Sequence, residues 1–199
     1  MQILERLQTA SPTASPSKKT QLYVISIAKL VTMTCLTWGL YIPYWSYRHW
    51  RLIQGKSQFS ATPLLCGIFG SFLIYPLMKK VIRYSNDANL VVDGTALGVT
   101  LKYWVPYLLF AGWQLWAPEK PDESQSLYIM FMLPLALLVM CGTLTLVALV
   151  QIQQAANIYE GDPVALKNSQ ITFANWLWII ISWTPSAALL GLISHYANS

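Results

Sequence analysis

Long apolar runs separated by short polar connectors set the pattern of this chain. Residues 22–26 (LYVIS) are apolar and β-prone and read as an extended lead-in; Ser26 then N-caps a helix predicted over about 27–47. That helix passes through Trp38, Gly39 and Pro43, which predict a bend, into a dense patch of aromatics that ends on Arg48, His49 and Arg51. Residues 61–78 run for 18 positions without a charge, at the short end for a crossing, and predict a helix over 61–80. Flanked by Pro63 and Pro76, it can cross, lie at the interface, or dip in and return; Gly67 and Gly70 allow close helix contact. Further helices are predicted over 97–116, with aromatics at both ends, over 127–155, whose first 24 residues carry no charge, and over 172–195. Gly142, Thr143 and Thr145 offer the fourth of these a small, hydrogen-bonding face, while QIQQAANIY reads as its polar amphipathic extension.

The pattern predicts an all-α, polytopic transmembrane helical bundle in one domain, 22–199, behind a disordered polar tail, 1–21. Four full spans are expected, plus one re-entrant or interfacial helix at 61–80 that is alternatively a fifth span. Composition strengthens the membrane reading: 55% of residues are apolar and 11% charged, against about 25% charged in soluble domains. The net charge of +5 points to topology and anionic headgroups; no nucleic-acid motif is present, and nucleic acid is excluded as a partner. Counting Lys and Arg leaves the topology open, because the four-span and five-span arrangements each put seven on one side and four on the other, with Lys29 and Lys102 left out.

Chemistry is sparse. The three cysteines lie in apolar runs without CxxC spacing, which argues against disulfides or a zinc ribbon. There is no HExxH, no GxSxG and no carboxylate within a predicted span, and His49 and His195 stand far apart as interfacial aromatics. No catalytic, cofactor-binding or metal-binding residue is assigned, and no cofactor is expected. The candidate intramembrane polar residues are Lys29, Lys102 and Asn175. Each lysine reads as snorkelling or as a charge partner for a ligand, and Asn175 as an interhelical or helix-start hydrogen bond. Trp38, Tyr41, Tyr44, Trp45, Tyr47, Arg48, Trp50 and Arg51 read as interface anchors.

The run Thr37, Trp38, Gly39, Leu40, Tyr41, Tyr44, Trp45, Tyr47, Arg48 resembles the opening helix of small bacterial membrane proteins of the DUF4234 group, with Trp38 where Phe is usual. Asn175–Ile179 resembles the last span of some of them. The likeness covers about 30 residues well and the rest in layout, and it implies bacterial origin and an inner-membrane, multi-pass location. It brings no functional residue to this chain. The expected function is a non-enzymatic inner-membrane protein that binds or assembles with another membrane component, whether membrane lipids, a membrane-protein partner or a second copy of itself. The alternative is a transporter or binder of a lipid-like or anionic small molecule, with Lys29 and Lys102 as its charge partners.

Overall fold

A computed structural model describes residues 21–55, 61–116 and 131–198. All regular structure among them is helical: α1 (Ile27–Leu36), α2 (Tyr41–Ile53), α3 (Ala61–Ile68), α4 (Ile74–Asp87), α5 (Ala96–Trp116), α6 (Leu133–Glu160) and α7 (Phe173–Asn198). Short 3-10 turns stand at Gly70–Leu73 and Leu166–Asn168. The chain is thus all-α, as its periodicity indicates. The expected polar tail, apart from Gln21, and the acidic connector after α5 lie outside the described residues.

α6 is one helix in two environments. Its last three turns, including Ala148, Ile152, Gln153, Ala156 and Asn157, are buried, whereas Leu135, Leu138, Val139 and Val147 nearer its start are exposed. α5 lies against it: Lys102 Nζ donates to Gln151 Oε1 (3.0 Å) near the packed end, and Tyr107 faces Cys141 and Thr145 further along. α4 turns Ile74, Leu77, Met78, Val81 and Ser85 inward at helical spacing and leaves Lys79 and Arg83 outside, so it covers the packed end as an amphipathic helix. Every described Lys and Arg (29, 48, 51, 79, 80, 83, 102 and 167) belongs to this end. Residues 108–116, 131–147 and 176–198, which build the other end, hold no Asp, Glu, Lys or Arg.

The single helix expected over 27–47 is two helices. α1 stops at Thr37 in a Schellman motif: Gly39 N–H donates to Thr34 O (2.8 Å) and Trp38 N–H to Cys35 O (3.3 Å). Trp38 (φ 53°) and Gly39 (φ 82°) are both left-handed, a conformation that costs a non-glycine residue about 1–2 kcal/mol. Thr37 makes the reversal tight, since its hydroxyl donates to Met33 O (2.7 Å) and accepts from Tyr41 N–H (3.0 Å), closing one helix and opening the next. Pro43 is therefore not the bend; it sits in the first turn of α2, where a missing N–H breaks no helical bond. Residues 21–36 run one way and α2 returns, bringing Arg48 over the Tyr23 ring at 4.4 Å. At the tip, the Trp38 and Trp183 rings pack at 5.3 Å and Trp183 Nε1 donates to Leu36 O (2.9 Å), which fastens the hairpin to α7.

The 61–80 helix is also broken: Thr62–Ile68 and Gly70–Asp87 meet at 95°, with the 3-10 turn between them. Both glycines lie against α2. A Cβ on Gly67 would stand 2.8 Å from Pro43 O, and one on Gly70 would stand 2.6 Å from Ser46 Cβ. Ser46 Oγ donates to Cys66 O (3.1 Å) across the same contact. Gly142 by contrast has open space around it among the described residues and Thr143 is exposed, whereas Thr145 is buried, so only part of the small face expected to pack a neighbouring helix is bare. We expect Gly67→Ala to lower unfolding stability by about 1–3 kcal/mol, because the backbone oxygen it meets cannot step aside. Gly142→Ala should raise it slightly through helix propensity. Thermal unfolding in one detergent checks both, and equal shifts would refute the close contact.

Candidate functional site

Residues 21–26 are extended, yet no strand lies beside them. Side chains from the packed end fill that role. Glu160 Oε1 accepts from Gln21 N–H (2.8 Å) and Leu22 N–H (2.7 Å). Gln153 donates to Tyr23 O (2.8 Å), while Asn157 donates to Ile25 O (2.9 Å) and accepts from Ile25 N–H (3.4 Å). Asn168 Nδ2 donates to Val24 O (2.9 Å), and Ser26 N–H donates to Asn168 O (3.3 Å). Ser26 then caps α1, its hydroxyl accepting from Lys29 N–H (3.2 Å). Gln153 and Asn157 stand four residues apart, on one face of α6, so the helix presents two amides at the spacing the extended backbone needs.

His49 is fully buried and completes this network. Its Nδ1 lies 3.4 Å from Tyr23 N, so Nδ1 accepts and Nε2–H donates to Gln153 Oε1 (3.2 Å), which also accepts from Trp45 Nε1 (2.6 Å). Burial pushes the His49 pKa down from 6.5 to about 4, opposed by its bond to Gln153 and helped by the Arg48 charge. The imidazole is a neutral structural element, one side chain away from the feature with ligand chemistry.

That feature is an open cleft of about 490 Å³ between residues 22–24, α1, α2, the second 3-10 turn and the start of α7. Lys29 and Arg48 line it, and among the described residues no Asp or Glu does. The only ion pair among the described residues joins Arg83 to Asp87 elsewhere. Lys29 is 5% exposed and donates to Asn168 Oδ1 (2.8 Å). Arg48 donates to Tyr44 Oη (2.7 Å) and lies over the Tyr23 ring; its Nε is buried without an acceptor, an omission that costs about 1–3 kcal/mol. With two held cations and, among the described residues, no carboxylate, the cleft has the chemistry to accept an anion.

The predicted polar residues separate. Lys29 lines the cleft and Asn175 stands at its edge, where its Oδ1 accepts from Thr172 N–H (2.9 Å) and Oγ1 (3.0 Å) as a helix-start cap. Lys102, on α5, is engaged with Gln151 of α6 and does not line this cleft, so it is not a joint charge partner of Lys29 there. The anchors need correction too. Tyr41, Trp45 and Trp50 are buried, not interfacial, because α2 folds back against α6 and carries its aromatic face inward; His49 follows for the same reason. Tyr44, Tyr47, Arg48 and Arg51 are half-buried, and Trp38 alone is strongly exposed, at the hairpin tip. Gln153, Asn157, Glu160 and Asn168 are the residues missed. For Gln153 and Asn157 the signal was a pair of amides at four-residue spacing, in the stretch read as a polar amphipathic extension of the helix; Glu160 and Asn168 follow it without a pattern of their own.

Compared with known proteins, the chain matches no family model, no curated protein and no solved structure.

Two outcomes test the buried network. His49 is neutral when folded, so between pH 6.5 and about 4 the unfolded chain binds more protons. Its contribution is complete above pH 6.5 and lost as pH falls toward 4, by on the order of 3 kcal/mol. The thermal midpoint should fall across that window, and His49→Phe should flatten the dependence; an unchanged slope in the variant would place the titrating group elsewhere. Asn157→Leu leaves both Ile25 backbone groups bare and should cost about 2–4 kcal/mol, with faster amide exchange confined first to residues 21–26.

Proposed function

We propose that this is a bacterial inner-membrane protein with three crossing helices, non-enzymatic, which binds another membrane component at its charged end. The observation that carries the reading is the segregation of charge along the bundle: all eight described Lys and Arg at one end, and none in the apolar parts of α5, α6 and α7. α6 is the one single helix among the described residues long and apolar enough to cross by length and composition; the bent pair Thr62–Ile68 and Gly70–Asp87 would be a second if it counted as one span. α5 and α7 have 21 and 26 residues, or about 31 and 39 Å at 1.5 Å per residue. Length therefore allows them to cross a core about 30 Å thick. Their Trp and Tyr residues, and Lys102 in α5, leave them without a stretch as apolar as that of α6.

In this arrangement the α1–α2 hairpin enters the bilayer from the charged end and returns, and the lead-in and the α4–α5 connection share one side. The charge tally that left the topology open in the sequence becomes one-sided. Of the five other cations, Arg6, Lys18, Lys19 and Lys56 adjoin segments of the charged end in sequence, and Lys120 alone falls between the far ends of α5 and α6. By the positive-inside rule the charged end is cytoplasmic. The resemblance of Thr37–Arg48 to the DUF4234 group agrees with a bacterial inner membrane. An assembly role, with a protein partner or a second copy, draws support from the exposed Gly142 and its apolar neighbours on α6.

Cysteine labelling tests the topology. In a background without Cys35, Cys66 and Cys141, an N-terminal cysteine and Asn86→Cys should react from the same side and Lys120→Cys from the other. Labelling of the first two from opposite sides would mean that residues 27–53 or the bent pair 61–87 cross, and would overturn the three-helix arrangement.

A further inference from the structure

We propose that the cleft between α1, α2 and the start of α7 is a seat for a phosphate group, supplied by the headgroup of an anionic lipid, with Arg48 and Lys29 as its cations. The inference rests on the preceding reading only in placing the cleft at a membrane surface. Arg48 is pre-positioned: the Tyr23 ring lies under its guanidinium at 4.4 Å and Tyr44 Oη takes one of its hydrogens at 2.7 Å. That spends one of five N–H groups and leaves the Nε donor buried without an acceptor. Lys29 spends one of three on Asn168. The donors left over exceed what the two oxygens of a carboxylate can take and suit a tetrahedral oxyanion.

A lipid is the source because of what surrounds the seat. Its volume, about 490 Å³, holds a headgroup and not acyl chains. Those chains have a place to go: α7 continues from Asn175 into exposed Trp176, Leu177, Ile180 and Ile181. Val24, Leu52 and Ala174 give the cleft an apolar margin.

The test is native mass spectrometry of the full-length protein in dodecyl maltoside with three probes: dioctanoyl phosphatidylglycerol, dioctanoyl phosphatidylcholine and inorganic phosphate. Phosphatidylglycerol should bind about tenfold more tightly than phosphatidylcholine, with inorganic phosphate a weak competitor. Arg48→Gln and Lys29→Gln should each weaken it about tenfold, while Lys102→Gln changes nothing. Because Arg48 also supports Tyr23, Leu52→Glu serves as a second variant: it keeps both cations, places a carboxylate in the cleft, and should abolish the preference. Inorganic phosphate binding as tightly as phosphatidylglycerol would overturn the lipid source and identify a soluble phosphate compound as the occupant. Binding unchanged in Arg48→Gln and Leu52→Glu would overturn the seat. Alkaline carbonate extraction separates the two readings: a protein stripped from vesicles, yet binding phosphatidylglycerol in detergent, fails the crossing reading and keeps this one.

Discussion

An extended backbone buried without a neighbouring strand leaves its N–H and C=O groups to whatever side chains can reach them. Residues 21–26 are in that position, and Glu160, Gln153, Asn157, His49 and Asn168 answer for them one group at a time. The arrangement constrains everything around it. The amides must lie on one face of α6, which fixes the rotation of that helix. His49 must be neutral and present Nδ1, which fixes α2 against it. Asn168 must come back over Val24, which fixes the turn after α6 and so the start of α7. Buried polar networks of this kind are high in stakes, since each partner removed leaves another bare in a low-dielectric interior.

The same constraint explains the strained reversal at Trp38. The lead-in holds the start of α1 beside α6, and the network holds His49 and Trp45 beside the same helix. A straight helix from 27 to 47 cannot satisfy both, because about 18 residues of continuous helix separate its start from Trp45 by about 27 Å. The chain must therefore reverse between them. It does so at the first glycine available, with Trp38 carried into the left-handed region and its ring set against Trp183. The hairpin tip is thus tied to α7 by a tilted ring contact and a hydrogen bond that a straight span would not make.

Helix identity was legible in the sequence where one environment governs a whole segment. The periods and breaks that predict helices at 97–116 and 172–195 correspond to Ala96–Trp116 and Phe173–Asn198. Legibility failed where a residue has two meanings. Trp-Gly-Leu-Tyr in an apolar run reads as the end of a span, because aromatic residues do collect at bilayer interfaces; here Trp45 and Tyr41 are core. Gln153 and Asn157 read as solvated because amides usually are. Their partners lie more than 100 residues away in sequence, and no local pattern announces a contact of that range. Of the cleft, Lys29 was visible as an odd charge in an apolar run, but Arg48 looked like one more basic residue at a helix end. Only the reversal puts them on one surface.

Charge and fold are linked through that reversal. With 27–47 drawn as a crossing helix, the basic residues before and after it fall on opposite sides, and the four-span and five-span arrangements both count seven against four, so positive-inside counting does not choose between them. With the hairpin, those before it and those after it share a side, and the tie disappears. The reversal also sets Arg48 beside Tyr23 with no acid among the described residues to neutralise it. An unpaired, half-buried guanidinium is unfavourable for a protein that gains nothing from it. At a surface rich in anionic headgroups the same group gains a partner that the membrane supplies. Among the described residues no carboxylate lines the cleft; an internal acid there would satisfy Arg48 and Lys29 in a ligand's place.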